Sequence, residues 1–116
     1  MRVVLTLGSR YVTQTARATA QAVVNWSAAR GVHLVSDEVY ALSHFGAQLH
    51  AANGGDGRAR APPTPFVSVG ELLRGELGER VHVLWGLSKD FGMSGLRFGV
   101  VWTRNAPLRT ALCNAR

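Results

Sequence analysis

Lysine is almost missing from this chain. Thirteen of its 116 residues are basic, and twelve of those are arginine; Lys89 is the one exception. Cysteine is nearly as scarce. Cys113 stands alone, which excludes an internal disulfide and leaves no metal-ligand spacing. A single thiol fits a reducing setting, so a cytoplasmic location is expected. Long apolar runs are absent too. Val3 to Leu7 is too short for a secretory core, and nothing approaches the roughly 20 residues of a membrane span. Acidic residues number only seven, leaving a net charge of +6, yet the arginines are scattered and no aromatic residues interleave with them. That pattern outlines no nucleic-acid surface and no membrane surface. No internal repeat is found.

What remains is globular composition: 47% hydrophobic and 17% charged residues exclude a disordered chain. The length allows one small domain that buries roughly two thirds of its unfolded surface. The most informative stretch is Trp85 to Gly99, WGLSKDFGMSGLRFG. Arginine stays protonated in protein sites, whereas lysine becomes a nucleophile once its pKa is lowered. A lone lysine on a glycine-punctuated turn therefore suggests imine chemistry. Arg97, eight residues on, offers a planar fork of donors suited to a phosphate. An amine for an aldehyde and a guanidinium for a phosphate together outline pyridoxal 5'-phosphate, PLP. A surface lysine at a strand end is the plainer alternative.

Taken in order, Val3 to Leu7 reads as a buried strand. Thr13 or Thr15 caps a helix running through Arg30, with Ala20, Val23, Val24 and Ser27 on one side and Gly31 as its stop. His33 to Ser36 is the next strand, which makes a parallel crossover unit. Asp37-Glu38-Val39-Tyr40 follows at its carboxyl end, where open parallel sheets hold their ligands. His44 to Pro65 reads as loop, a flexible insertion over 46–65 punctuated by Gly54, Gly55, Gly57, Pro62 and Pro63. A helix is predicted over Val67 to Leu77, with Ser68 as N-cap and Glu71 completing a capping box. Val81 to Leu84 and Phe98 to Trp102 are strands joined too closely for a crossover, hence antiparallel. Pro107 opens a last helix. The four histidines have no metal-ligand spacing and read as core or surface residues, and Trp85 and Trp102 read as packing residues.

Asp37-Glu38-Val39-Tyr40, then Ser88-Lys89-Asp90 through Gly95-Leu96-Arg97-Phe98-Gly99, resemble the class I/II aminotransferases of PLP fold type I. The likeness is to the 1-aminocyclopropane-1-carboxylate synthase-like branch, and it spans roughly Val32 to Leu112. The fold it implies is α/β in three layers, with a mainly parallel sheet and one antiparallel strand. Residues 1–116 would be part of the large, PLP-binding domain. The resemblance implies that Lys89 is catalytic and holds PLP as an internal aldimine. Asp37 would partner the pyridine nitrogen, Tyr40 the phenolic oxygen, and Arg97 with Ser88 the phosphate. The plainer alternatives are a helix-capping aspartate, a core tyrosine, a surface arginine and a turn-capping serine.

Departures accompany the likeness. Gly86 stands where the family has a phosphate-binding serine. The Asn-Pro element expected near Ser9-Arg10 is absent. Neither the upstream phosphate cradle with its ring-stacking aromatic nor the later substrate-gripping arginine is present. The expectation is therefore a truncated or degenerate piece of an enzyme acting on amino acids, with a homodimer implied by analogy. The alternative is a non-catalytic remnant that binds PLP weakly or serves as an interaction module.

Overall fold

The computed structural model describes residues 3–7, 17–43 and 66–115. The elements run β1 (Val3–Leu7), α1 (Arg17–Ala29), β2 (His33–Asp37), α2 (Val69–Leu72), β3 (Val81–Gly86) and α3 (Leu87–Asp90). A 3-10 turn (Ser94–Leu96), β4 (Gly99–Thr103) and α4 (Ala106–Asn114) follow. The candidate caps Thr13 and Thr15, Ser9-Arg10, His44, His50 and the expected loop over 46–65 lie outside the described residues.

The strands form one sheet in the order β1-β2-β3-β4. β1 and β2 pair in parallel, from Val3 opposite His33 to Leu7 opposite Asp37. β2 and β3 are also parallel, with Leu34 opposite Val81 and Asp37 opposite Leu84. β4 runs antiparallel to β3, closing with Gly86 opposite Gly99. The expected α/β fold, mainly parallel with one antiparallel strand, is the observed one.

Side chains alternate across the pleat, and the alternation sorts the sheet into two faces. Leu34, Val81 and Val83 face a core completed by Ala20 and Val24 of α1, Val69 and Leu72 of α2, and Leu77. On α1, Ala20, Val24 and Ser27 recur at helical spacing and form its buried stripe. The helix ends in a Schellman motif, as Gly31 (φ 61) demands. The Val32 N–H reaches the Ser27 carbonyl at 3.1 Å and the Gly31 N–H reaches the Ala28 carbonyl at 3.1 Å. On the opposite face, His33, Val35, His82, Leu84 and Val101 meet Leu108, Ala111 and Leu112 of α4 around a cavity of about 540 Å³.

Several boundaries differ from expectation. The helix predicted over Val67 to Leu77 is a single turn, because Arg74 (φ 51) and Gly75 (φ 81) turn left-handed. Ser68 is its N-cap, accepting from the Gly70 N–H at 3.0 Å. Glu71 does not complete a capping box; it reaches the exposed Arg17 instead, at 3.6 Å. The buried Glu38 carboxylate takes the helix-start role, accepting from the Val69 N–H at 2.9 Å and from the Ser36 hydroxyl at 3.0 Å. β4 begins at Gly99 rather than Phe98, and β3 continues to Gly86. α4 starts one residue before Pro107, under an Asn105 side chain that accepts from the Leu108 N–H. No helix among the described residues is long and apolar enough to cross a membrane.

Candidate functional site

Two chain segments leave the sheet side by side. The ladder between β2 and β3 is extended by the Glu38 N–H, which reaches the Leu84 carbonyl at 2.9 Å. Residues 38–43 therefore turn away next to residues 87–91. The second segment returns to β4 through the 3-10 turn, and Arg97 closes that turn in the left-handed region (φ 50). Such a conformation is uncommon for a residue with a side chain, and it aims the Arg97 side chain differently from an extended residue at that place.

Ser88, Lys89 and Arg97 line one cavity of about 340 Å³ with Val39, Trp85, Gly86, Phe98 and Gly99. The glycines let the two strand ends close over its base. A Cβ at position 86 would lie 3.1 Å from the Phe98 carbonyl oxygen, so a serine there is tightly opposed in this arrangement. Tyr40 is not a lining residue, but its ring centroid stands 5.8 Å from the Lys89 amine. Asp37 lies at the end of β2, with its Oδ1 accepting from the Val39 N–H at 3.3 Å. This is a local turn contact, and Asp37 is not among the residues that line the cavity. Of the five residues singled out, three share the cavity, Tyr40 approaches Lys89, and Asp37 lies outside the lining.

One neighbour of the cavity was missed. Asp90 accepts from the Ser43 hydroxyl at 2.6 Å, the Leu42 N–H at 3.0 Å and the Trp85 indole N–H at 2.8 Å. Burial pushes its carboxyl up, but these hydrogen bonds outweigh burial and hold its pKa below the ordinary value. Its signal in the sequence was weak: an acid beside the lone lysine, in a chain with seven acids. Trp85 also meets Phe91 edge to face at 6.0 Å, a packing role joined to a polar one.

The chemistry of the donor set suits a phosphorylated aldehyde. An amine, a guanidinium and a hydroxyl converge on one partly enclosed space, beyond the carboxyl ends of parallel strands. Among the described residues, no group of three or more His, Cys, Asp or Glu side chains could hold an ion.

Comparison with known proteins gives the same direction. The family model for aminotransferase class I and II matches residues 13–116. The chain is 35% identical over 105 residues to 1-aminocyclopropane-1-carboxylate synthase 1 of Oryza sativa subsp. indica, covering 85% of this chain and 19% of that protein. It is 41% identical over 83 residues to 1-aminocyclopropane-1-carboxylate synthase-like protein 1 of Mus musculus, covering 72% and 14%. The chain thus spans under a fifth of the length of these relatives. The crystal structure of aspartate aminotransferase from Thermotoga maritima superposes with a TM-score of 0.63 at 22% identity, over 90% of this chain and 23% of that one. That likeness carries the fold.

Proposed function

Because the chain belongs to the class I and II aminotransferases, in their 1-aminocyclopropane-1-carboxylate synthase-like branch, we propose that it forms the PLP-holding wall of an enzyme acting on amino acids. Lys89 holds the cofactor covalently through its Nζ. Arg97 and Ser88 bind the phosphate by charge-assisted hydrogen bonds. Asp37 partners the pyridine nitrogen and Tyr40 the phenolic oxygen. When bound, PLP supplies an electron sink for the charge left at the substrate Cα. Once the substrate's own amine displaced it from the cofactor, the freed Lys89 amine would serve as the base at the substrate Cα. The whole enzyme's substrate is an amino acid and its assembly a homodimer under this reading.

The observation that supports it is the shared cavity of Ser88, Lys89 and Arg97. Adding PLP to the chain should give a visible absorption band. Borohydride should then fix a phosphopyridoxyl adduct on Lys89, located by peptide mapping. Lys89→Ala should lose the adduct entirely, and an adduct that survives the substitution would refute the assignment. A second reading, a PLP binder without turnover, draws on Gly86, which sends no hydroxyl toward the phosphate. Turnover of amino acids by a chain that forms the adduct separates the two.

A further inference from the structure

Tyr40 and Lys89 sit on different turns, and something must hold those turns in register. The segment after β2 is bonded to itself: the Ala41 N–H reaches the Glu38 carbonyl at 2.9 Å, and the Ser43 N–H reaches the Tyr40 carbonyl at 3.1 Å. The lysine turn is likewise bonded to itself, from the Phe91 N–H to the Leu87 carbonyl at 3.3 Å. Among the described residues, the hydrogen bonds between 39–43 and 87–91 all end on the Asp90 carboxylate. Its two oxygens are divided. Oδ1 takes the Ser43 hydroxyl at 2.6 Å, while Oδ2 takes both the Leu42 N–H and the Trp85 indole. The Trp85 bond ties the carboxylate to β3 itself, so the lysine turn and the strand end form one anchored unit. An ionised acceptor makes such bonds about twice as strong as neutral ones.

We propose that Asp90 is the positioning residue of this site, clamping the turn that carries Tyr40 against the turn that carries Lys89. Asp90 touches neither substrate nor cofactor in this role. It acts by fixing where the Tyr40 ring stands relative to the Lys89 amine. The clamp rests on geometry alone; its consequence for the adduct rests on the cofactor reading above. Placement matters because a displacement of about 1 Å can cost on the order of a hundredfold in a reaction between positioned groups.

The single lysine gives a direct test. Reductive dimethylation with ¹³C-formaldehyde puts an NMR reporter on Lys89, with the chain's amino terminus as the other labelled amine. The ring current of Tyr40 displaces the Lys89 methyl signal, and Tyr40→Leu defines its position without the ring. Asp90→Asn, which turns an amide N–H₂ toward groups that donate, should move the signal to the Tyr40→Leu position. Ser43→Ala removes one bond and keeps the charge, and should move it part of the way; this milder variant also serves if Asp90→Asn fails to fold. A folded Asp90→Asn chain with the wild-type signal would overturn the proposal.

The second arm reads the consequence. Asp90→Asn should slow formation of the Lys89 adduct by about tenfold or more. Affinity for pyridoxine 5'-phosphate, which lacks the aldehyde, should stay within about twofold. Equal losses of both, with a lowered melting temperature, would make Asp90 a merely structural residue and overturn the positioning role. A wild-type chain that forms no adduct while the reporter moves as stated would sink the cofactor reading and leave the clamp standing.

Discussion

His82 is a buried base between two partners. Its Nε2 lies 2.9 Å from Nδ1 of His33, and its Nδ1 lies 2.8 Å from the Thr103 hydroxyl. The two imidazoles stack with centroids 5.2 Å apart. Burial, and then the neighbouring His33 ring, hold the His82 pKa below its ordinary value of 6.5. In the unfolded chain the same ring takes a proton near 6.5. Between the two pKa values the unfolded state therefore binds more protons than the folded one, and stability rises with pH. Stability from this residue is present above about 6.5 and is lost as pH falls toward the depressed folded pKa. Urea midpoints compared between about pH 7 and pH 5 should fall in the wild type and fall less in His82→Gln. Equal slopes in the two proteins would show that His82 titrates alike in both states. The sequence could not announce this pair. His33 and His82 are far apart in the chain, and only the register that sets Val35 opposite His82 brings the two rings onto one face.

At the scale of elements, α2 shows what periodicity does not convey. The apolar pattern from Val67 to Leu77 suits a helix, and the buried Val69, Leu72 and Leu77 confirm that the pattern marks a core face. The helix nevertheless ends after one turn. The Gly75 N–H bonds back to Gly70 and the Arg74 N–H to Glu71, a Schellman ending with arginine in the left-handed position that glycine usually fills. The turn is anchored by its surroundings: Glu38 holds its first N–H, and the Trp102 ring of β4 lies against Gly70. A methyl group at position 70 would fall inside that ring. Gly70→Ala should therefore displace Trp102 and cost about 1–3 kcal/mol, although alanine is the better helix former. A lowered urea midpoint together with a moved Trp102 indole resonance checks it; a more stable variant with an unmoved resonance would show that the ring does not pack there. The strands were more legible than the helix. Short apolar stretches mark β2, β3 and β4 to within two residues, and the short β3–β4 connection dictates the antiparallel sense of the last pair. The wall of the candidate cavity was legible where it is local, as with Ser88, Lys89 and Arg97. Asp37 outside the lining and Asp90 as a hub depend on which strands lie side by side, and that is written in no single stretch.

At the scale of the whole molecule, apolar surface and charge act against each other. Phe91, Met93, Leu96, Phe98, Val100 and Trp102 are all exposed, and they follow one another along the return from the lysine turn into β4. β4 pairs with β3 on one side and is the last strand of the described sheet. An apolar strand at a sheet edge is a template for pairing with another chain, and a contiguous apolar patch marks a contact surface. The net charge of +6 opposes association between identical chains. Among the described residues, two surface ion pairs do little to offset it, since Arg17–Glu71 and Arg104–Glu76 are exposed and 3.6 and 3.9 Å long. Salt shortens the range of the repulsion and leaves the apolar attraction in place. The chain should therefore self-associate with rising concentration, and more strongly at about 0.5 M salt than at about 0.05 M. Val100→Lys places a charge on the edge strand, on the face shared with Trp102, and should reduce association at both salt levels. Sedimentation velocity over a concentration series reads this directly. A chain that sediments as a monomer at both salt levels, or a Val100→Lys variant that associates as the parent does, would show that this edge is not the contact.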